Sequence, residues 1–211
     1  MGGLMWLDVF NANPYGTNCW LLSADRSEEA VVIDPGFSPS DVRRVLEAAN
    51  KTPVAVLATH AHGDHVGEAG NFAGEVPLFV HGADAVAFTD EAAWRAGFEN
   101  PLAPVKELRT IDDGDVLRLA GLEITVMHTP GHTPGHCAFR IEADEAFCSG
   151  DLVFAGSVGR SDFPNSDPAA MRASLQRFLM LPDEVAVLPG HGPTTTVGRE
   201  RASNPFLREP V

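Results

Sequence analysis

The 211-residue sequence is poor in cysteine, poor in cations and without a long apolar run. Its three cysteines, Cys19, Cys137 and Cys148, are odd in number, fit no disulfide framework and form no C-x-x-C pair. All three stand in apolar, strand-like stretches, where a thiol is a small buried hydrophobe. Lys and Arg total 15 against 29 Asp and Glu, a net charge of -14 with His neutral. That leaves no basic footprint for a nucleic acid and no attraction to an anionic membrane surface. A small anionic substrate stays open, because the field inside a pocket can oppose the global charge. No stretch of about 20 apolar residues is present to span a bilayer. The opening residues, M-G-G-L-M-W-L-D, lack a basic segment and a small-residue cleavage pattern, and Gly2 lacks the hydroxyl residue of a myristoylation motif. The expectation is a cytoplasmic protein with residues 1–211 in a single domain.

Apolar residues make up 44% and charged ones 21%, so the 20 glycines and 16 prolines mark turns rather than disorder. Short apolar runs at 4–10, 18–24, 30–35, 53–59 and 76–81 read as strands. So do 115–120, 122–128, 136–141, 145–150 and 185–189, with Gly121 turning a hairpin. Helical spacing follows Ser38, with Val42, Val45, Leu46 and Ala49 on one face, and recurs at 66–73 and 83–98. It returns at 168–181, where Met171, Leu175, Phe178 and Leu179 form a core stripe. Residues 99–104 read as a loop. The run 53–59 is apolar throughout, as a strand covered on both faces would be. Both halves of the chain follow strands, helix, then a strand ending in a His-bearing loop.

The placement of the eight histidines is the strongest signal. His60, His62 and His65 cluster in A-T-H-A-H-G-D-H, with Asp64 among them, directly after the run 53–59. Residues two apart in an extended loop can turn to one side together. His60 and His62 can therefore bind one metal ion while Asp64 and His65 reach a second. Imidazole nitrogen and carboxylate oxygen suit zinc, and also iron or manganese. His132 in H-T-P-G-H-T-P-G-H, Asp151 in C-S-G-D and His191 in L-P-G-H-G-P each follow another strand. Four strand ends carrying His or Asp are how catalytic metal sites are built. His81, His128 and His136 are assigned structural or supporting roles.

These motifs, T-H-A-H-G-D-H, P-G-H-T-P-G-H, S-G-D and P-G-H-G, resemble the metallo-β-lactamase superfamily over nearly the whole chain. The resemblance implies an αββα sandwich, two facing sheets with helices outside and metals at one edge. It implies that His60, His62 and His132 bind one metal, that Asp64, His65 and His191 bind the other, and that Asp151 bridges both. Within the family, the β-lactamases proper lack a bridging aspartate, and flavodiiron proteins have Glu where His62 stands. The nucleases carry an extra domain. The pattern is most similar to the glyoxalase II group of thioester hydrolases, in a short bacterial form. The chain ends about twenty residues after His191, so the helical C-terminal domain of full-length glyoxalase II is expected to be missing.

What the resemblance implies chemically is a binuclear hydrolase, with two divalent ions, zinc by preference, sharing a hydroxide that attacks a thioester carbonyl. The substrate is a small molecule such as S-lactoylglutathione. Asp64 also orients the hydroxide or accepts its proton, and Asp151 separates and balances the cations. Arg160 in G-R-S-D is the candidate contact for an anionic substrate, against an ion pair with Asp162. Arg199 and Arg201 are surface residues by default, and Asp112–Asp113 is a turn. The alternatives are a mononuclear iron persulfide dioxygenase, whose ligands would be His60, His132 and Asp151, and a metal-binding protein without catalysis.

Overall fold

The structure, a computed structural model, describes residues 5–11, 13–72, 76–88 and 105–208. Strands β1 (Met5–Phe10), β2 (Cys19–Ala24) and β3 (Glu29–Ile33) pair antiparallel in that order. The chain then crosses over through helix α1 (Pro39–Ala48), which has Pro in its first turn and stops before Asn50, a left-handed residue at φ 53. Val42 and Leu46 of α1 are buried against the sheet. The crossovers make β4 (Thr52–Leu57), β5 (Leu78–His81) and β6 (Leu108–Ile111) parallel to β3, completing a six-stranded sheet ordered β1 to β6.

The second sheet runs β14-β13-β10-β9-β8-β7. Its members are β7 (Val116–Leu119), β8 (Leu122–His128), β9 (Cys137–Ile141), β10 (Ala146–Gly150), β13 (Ala186–Pro189) and β14 (Thr195–Thr196). Ala120 at φ 50 and Gly121 at φ 76 turn β7 into β8 with the primed geometry that matches strand twist. Helix α5 (Pro168–Phe178) is capped by the Asp167 carboxylate and returns the chain so that β13 lies parallel to β10. A separate hairpin, β11 (Val153–Phe154) with β12 (Ser157–Val158), follows β10.

Three apolar clusters define four layers. Leu22, Val31, Ile33 and Leu57 of the first sheet meet Ile124, Phe139 and Cys148 of the second between the two sheets. Leu21, Val32 and Val56 point the other way, onto Val42 and Leu46 of α1 and onto Phe72. Phe147 and Val187 pack on Met171, Leu175 and Phe178 of α5. The arrangement is the expected αββα sandwich. All three cysteines are buried and unpaired, as expected. Among the described residues no helix is long and apolar enough to cross a membrane.

Some elements differ from expectation. The helix placed at 66–73 is two single turns, α2 (Gly63–Val66) and α3 (Ala69–Phe72). Gly67 lies between them, where a side chain would collide with the Phe37 ring. The strand expected from 76 begins only at Leu78. Strand β6, the β11–β12 hairpin and the closing helices α6 (Val197–Ser203) and α7 (Pro205–Arg208) carried no clear period and were not expected. Of the helix placed at 83–98, the structure describes only α4 (Gly82–Ala85) and a short 3-10 turn, Val86–Phe88. The remainder, with the loop 99–104, lies outside the described residues.

Phe139 fills the space between the sheets and is fully buried. Phe139→Ala should lower the unfolding free energy by about 3–5 kcal/mol, read from urea denaturation.

Candidate metal centre

The loops that follow β4, β8, β10 and β13 open on the same edge of the sandwich, and each carries a residue of the histidine and aspartate set. The structure brings all seven together. Nε2 of His60 and Nε2 of His132 lie 2.9 and 2.7 Å from Nδ1 of His62. Nε2 of His65 lies 3.3 Å from Nε2 of His191 and 3.5 Å from Oδ2 of Asp64. His191 Nε2 is 3.2 Å from the same Asp64 oxygen. Asp151 stands between the two groups. Its Oδ1 is 3.4 Å from His65 Nε2 and 3.8 Å from His191 Nε2, while Oδ2 is 3.5 Å from His132 Nε2. His60–His62–His132, Asp64–His65–His191 and His60–His65–Asp151 each present ligand atoms within 4.8 Å of one another.

The hydrogen bonds behind these side chains fix which nitrogen faces inward. Thr59 Oγ1 lies 2.6 Å from Asp34 Oδ2 and gives it its only proton, so it accepts from His60 Nδ1 at 3.0 Å. His65 Nδ1 donates to Asp34 Oδ2 at 2.9 Å, and His132 Nδ1 donates to the Arg160 carbonyl at 2.7 Å. In all three rings Nδ1 is thus the proton-bearing donor and Nε2 is aimed at the cluster, the tautomer a metal ligand needs. His136 acts one step further back. The Asp151 N–H donates to its Nε2 at 3.0 Å, and its Nδ1 donates to Thr129 Oγ1 at 2.8 Å.

The two halves differ electrostatically. Burial, reinforced by neighbouring imidazoles, pushes His60 well below the usual imidazole range and His62 down to about 3. Burial also lowers His132, against the pull of Asp151. These three are neutral donors at pH 7. Burial would lower His65 too, but the Asp64, Asp151 and Asp34 carboxylates hold it well above its ordinary value. Burial would lower His191 as well, and the hydrogen bond and charge of Asp64 with the charge of Asp151 raise it instead. Burial alone would raise both acids, yet His65 and its neighbours hold Asp64 well below the carboxylate range and Asp151 near about 2. This half calls for positive charge, which protons supply when no cation does.

A divalent metal fits on independent grounds. Asp151 Oδ1 is buried and makes no hydrogen bond. Gly190 borders it, and any side chain there would run into that oxygen and the His65 ring. A buried acceptor without a donor, facing the ring nitrogens of the cluster, has a cation as its natural partner.

The remaining sequence candidates fall outside the cluster. The Arg160 guanidinium is exposed, bonded to Asp162 at 2.9 and 3.0 Å, and lies over the Phe163 ring. Its backbone carbonyl, not its charge, reaches the site. His81 and His128 stack on each other at 3.9 Å, away from the seven. Asp113 does more than turn the chain, accepting from the His128 N–H and pairing with Arg177. Arg199 is exposed, and Arg201 bonds the carbonyls of Leu179 and Leu181.

Several supporting residues lie outside the histidine motifs. Asp34 was visible only as the end of a strand, though D-P-G after an apolar run is a loop signal. Asp84 is buried and accepts from Ala61 N, Thr133 Oγ1 and Gly135 N, tying the loop of His60 and His62 to the loop of His132. Phe163 packs edge-on against His62 and His132, and Phe154 against His191.

Comparison with known proteins agrees with this geometry. The family model described as metallo-beta-lactamase superfamily matches residues 12–191. The chain belongs to that superfamily of metallo-hydrolases. An uncharacterized protein of Aquifex aeolicus is 38% identical over 97% of this chain and 98% of its own. The hydroxyacylglutathione hydrolase GloC of Haemophilus influenzae is 32% identical over 96% of this chain and 98% of its own. The solved structure of TTHA1623 in a di-iron-bound form is 40% identical, with a TM-score of 0.82 over 95% of this chain and all of that one.

The depressed imidazoles set a pH dependence for the metal-free protein. Unfolded His62 and His136 titrate near the ordinary value of 6.5, whereas in the fold both are held at about 3. Between these values the unfolded state binds more protons, so stability falls as pH falls. His65 and His191, raised in the fold, act only above the ordinary value and leave this window to one sign. Urea midpoints of the metal-free protein should therefore drop steadily on going from pH 6.5 toward pH 4, the window set by those imidazoles.

Proposed function

We propose that the protein is a binuclear metal-dependent hydrolase of thioesters, of the glyoxalase II type, acting on a small molecule such as S-lactoylglutathione. His60, His62 and His132 would hold one divalent ion, Asp64, His65 and His191 the second, and Asp151 both. Zinc suits the nitrogen-rich set, and the di-iron form of a relative keeps iron beside it. The observation that carries the reading is Asp151, whose two oxygens face the two groups separately, with Oδ1 left unbonded. The 32% identity to a hydroxyacylglutathione hydrolase supports the substrate class.

The metals, when bound, supply Lewis acidity that lowers the pKa of water and polarises a carbonyl. The chain supplies placement. Asp64 is the more exposed acid of the set, with Thr17 donating to its Oδ2 at 3.1 Å, and it would orient the nucleophile as a hydrogen-bond acceptor. Phe163 and Phe154 flank the two halves with apolar ring edges. A thiol leaving group, with a pKa near about 8.5, departs as thiolate without a strong acid. That matches a site whose acids are all occupied as ligands.

The test pairs metal analysis with S-lactoylglutathione hydrolysis, for the protein and for His191→Ala. About two metals per chain are expected, as in other two-metal hydrolytic sites. The variant should lose metal and more activity than the roughly 10–100-fold that outer partners of a metal are worth. One iron per chain with no hydrolysis would overturn the reading and favour the dioxygenase.

A further inference from the structure

Among its described residues, the segment joining β1 to β2 meets the candidate metal centre at the half that holds Asp64 and His191. Asn13 folds it: its Oδ1 accepts from the N–H groups of Tyr15 and Thr17, both at 3.1 Å, and its Nδ2 donates to the Thr17 carbonyl at 2.7 Å. Asn11 Nδ2 donates to Asn18 Oδ1 at 3.3 Å. The two residues that emerge, Thr17 and Asn18, are 1% and 2% exposed. Thr17 Oγ1 donates to Asp64 Oδ2 at 3.1 Å, and its backbone pairs with His191 in an isolated bridge. Asn18 Nδ2 donates to the carbonyls of Pro189 and Gly192 at 2.9 and 2.8 Å, and its N–H donates to the Gly190 carbonyl at 2.7 Å. Asp64 and the loop of His191 are thus held by two consecutive residues of the β1–β2 connection, neither of them among the seven.

The other half is held by different bonds. His60 leans on Thr59 and Asp34, His132 on the Arg160 carbonyl, and Asp84 ties their loops together. None of these bonds comes from residues 11–18. Asp64 and His191 are also among the more exposed of the seven, with side chains 23% and 28% exposed. Ligands on exposed loops lose freedom on binding unless the fold has already ordered them.

We infer that Thr17 and Asn18 are positioning residues for the second metal alone, setting its affinity without setting that of the first. The inference rests on the two-metal reading above. Thr17→Val keeps the shape and removes only the hydroxyl. Asn18→Ala removes both carbonyl contacts of the side chain.

The experiment is calorimetric titration of the metal-free protein with Zn²⁺, with metal content by mass spectrometry and folding checked by circular dichroism. The unaltered protein should bind in two steps. Thr17→Val should weaken the second step by about 10–100-fold, the usual worth of an outer partner, and leave the first unmoved. Thr17→Ser should restore it. Asn18→Ala should act in the same direction. Thr133→Val, which removes the hydroxyl bonded to Asp84, should weaken the first step instead. Equal loss in both steps for Thr17→Val, or none, would overturn the inference while leaving the two-metal reading intact. A single step in the unaltered protein would sink both.

Discussion

A buried carboxylate underlies the metal centre. Asp34 is 2% exposed, follows β3 in the left-handed region at φ 52, and accepts three hydrogen bonds. Its Oδ1 takes the Thr59 N–H at 2.8 Å, and its Oδ2 takes the Thr59 hydroxyl and His65 Nδ1. Through Thr59 it sets the tautomer of His60, and directly it sets that of His65. One carboxylate therefore turns one candidate ligand toward each of the two groups. A carboxyl group this deep needs such donors to offset the loss of water. The parallel register of β3 and β4 pairs Ile33 with Leu57, which brings the Asp34 side chain within reach of Thr59.

Around that anchor the site divides into halves of opposite character. His60, His62 and His132 are neutral because burial disfavours their charged forms. Asp64, His65, His191 and Asp151 form a mixed group in which the acids are held low and the imidazoles high by each other's charge. Such a group trades protons for a cation readily, since a metal offers the same charge with more bonds. Asp151 belongs to both halves, and its place depends on close backbone approach. At Gly159 any side chain would overlap the Asp151 carbonyl, and at Gly190 its carboxylate.

Much of this was legible in order along the chain. The apolar runs marked most strands of both sheets, and Gly121 marked the hairpin. H-A-H-G-D-H, H-T-P-G-H, S-G-D and P-G-H each followed a strand, which located the cluster. The seven residues meet because parallel strands deliver their C-terminal ends to one edge. What escaped notice were elements too short to show a period, such as β11, β12 and β14. Asp34 and Asp84 escaped because an aspartate in a loop looks the same whether it faces water or holds a histidine.

The sequence by itself determined the candidate ligand types, their spacing after strands and the superfamily the chain belongs to. Hydrophobic period and glycine placement are local properties, readable a few residues at a time. Only the tertiary structure decided which outer residues hold which half. Thr17 reaches Asp64 across 47 positions, and Asn18 reaches Pro189 across 171. Contacts of that range follow from the packing of two sheets, and no local pattern encodes them. The same packing left Arg160 on Asp162 and its carbonyl on His132. A side chain's role there is set by which neighbours the fold supplies.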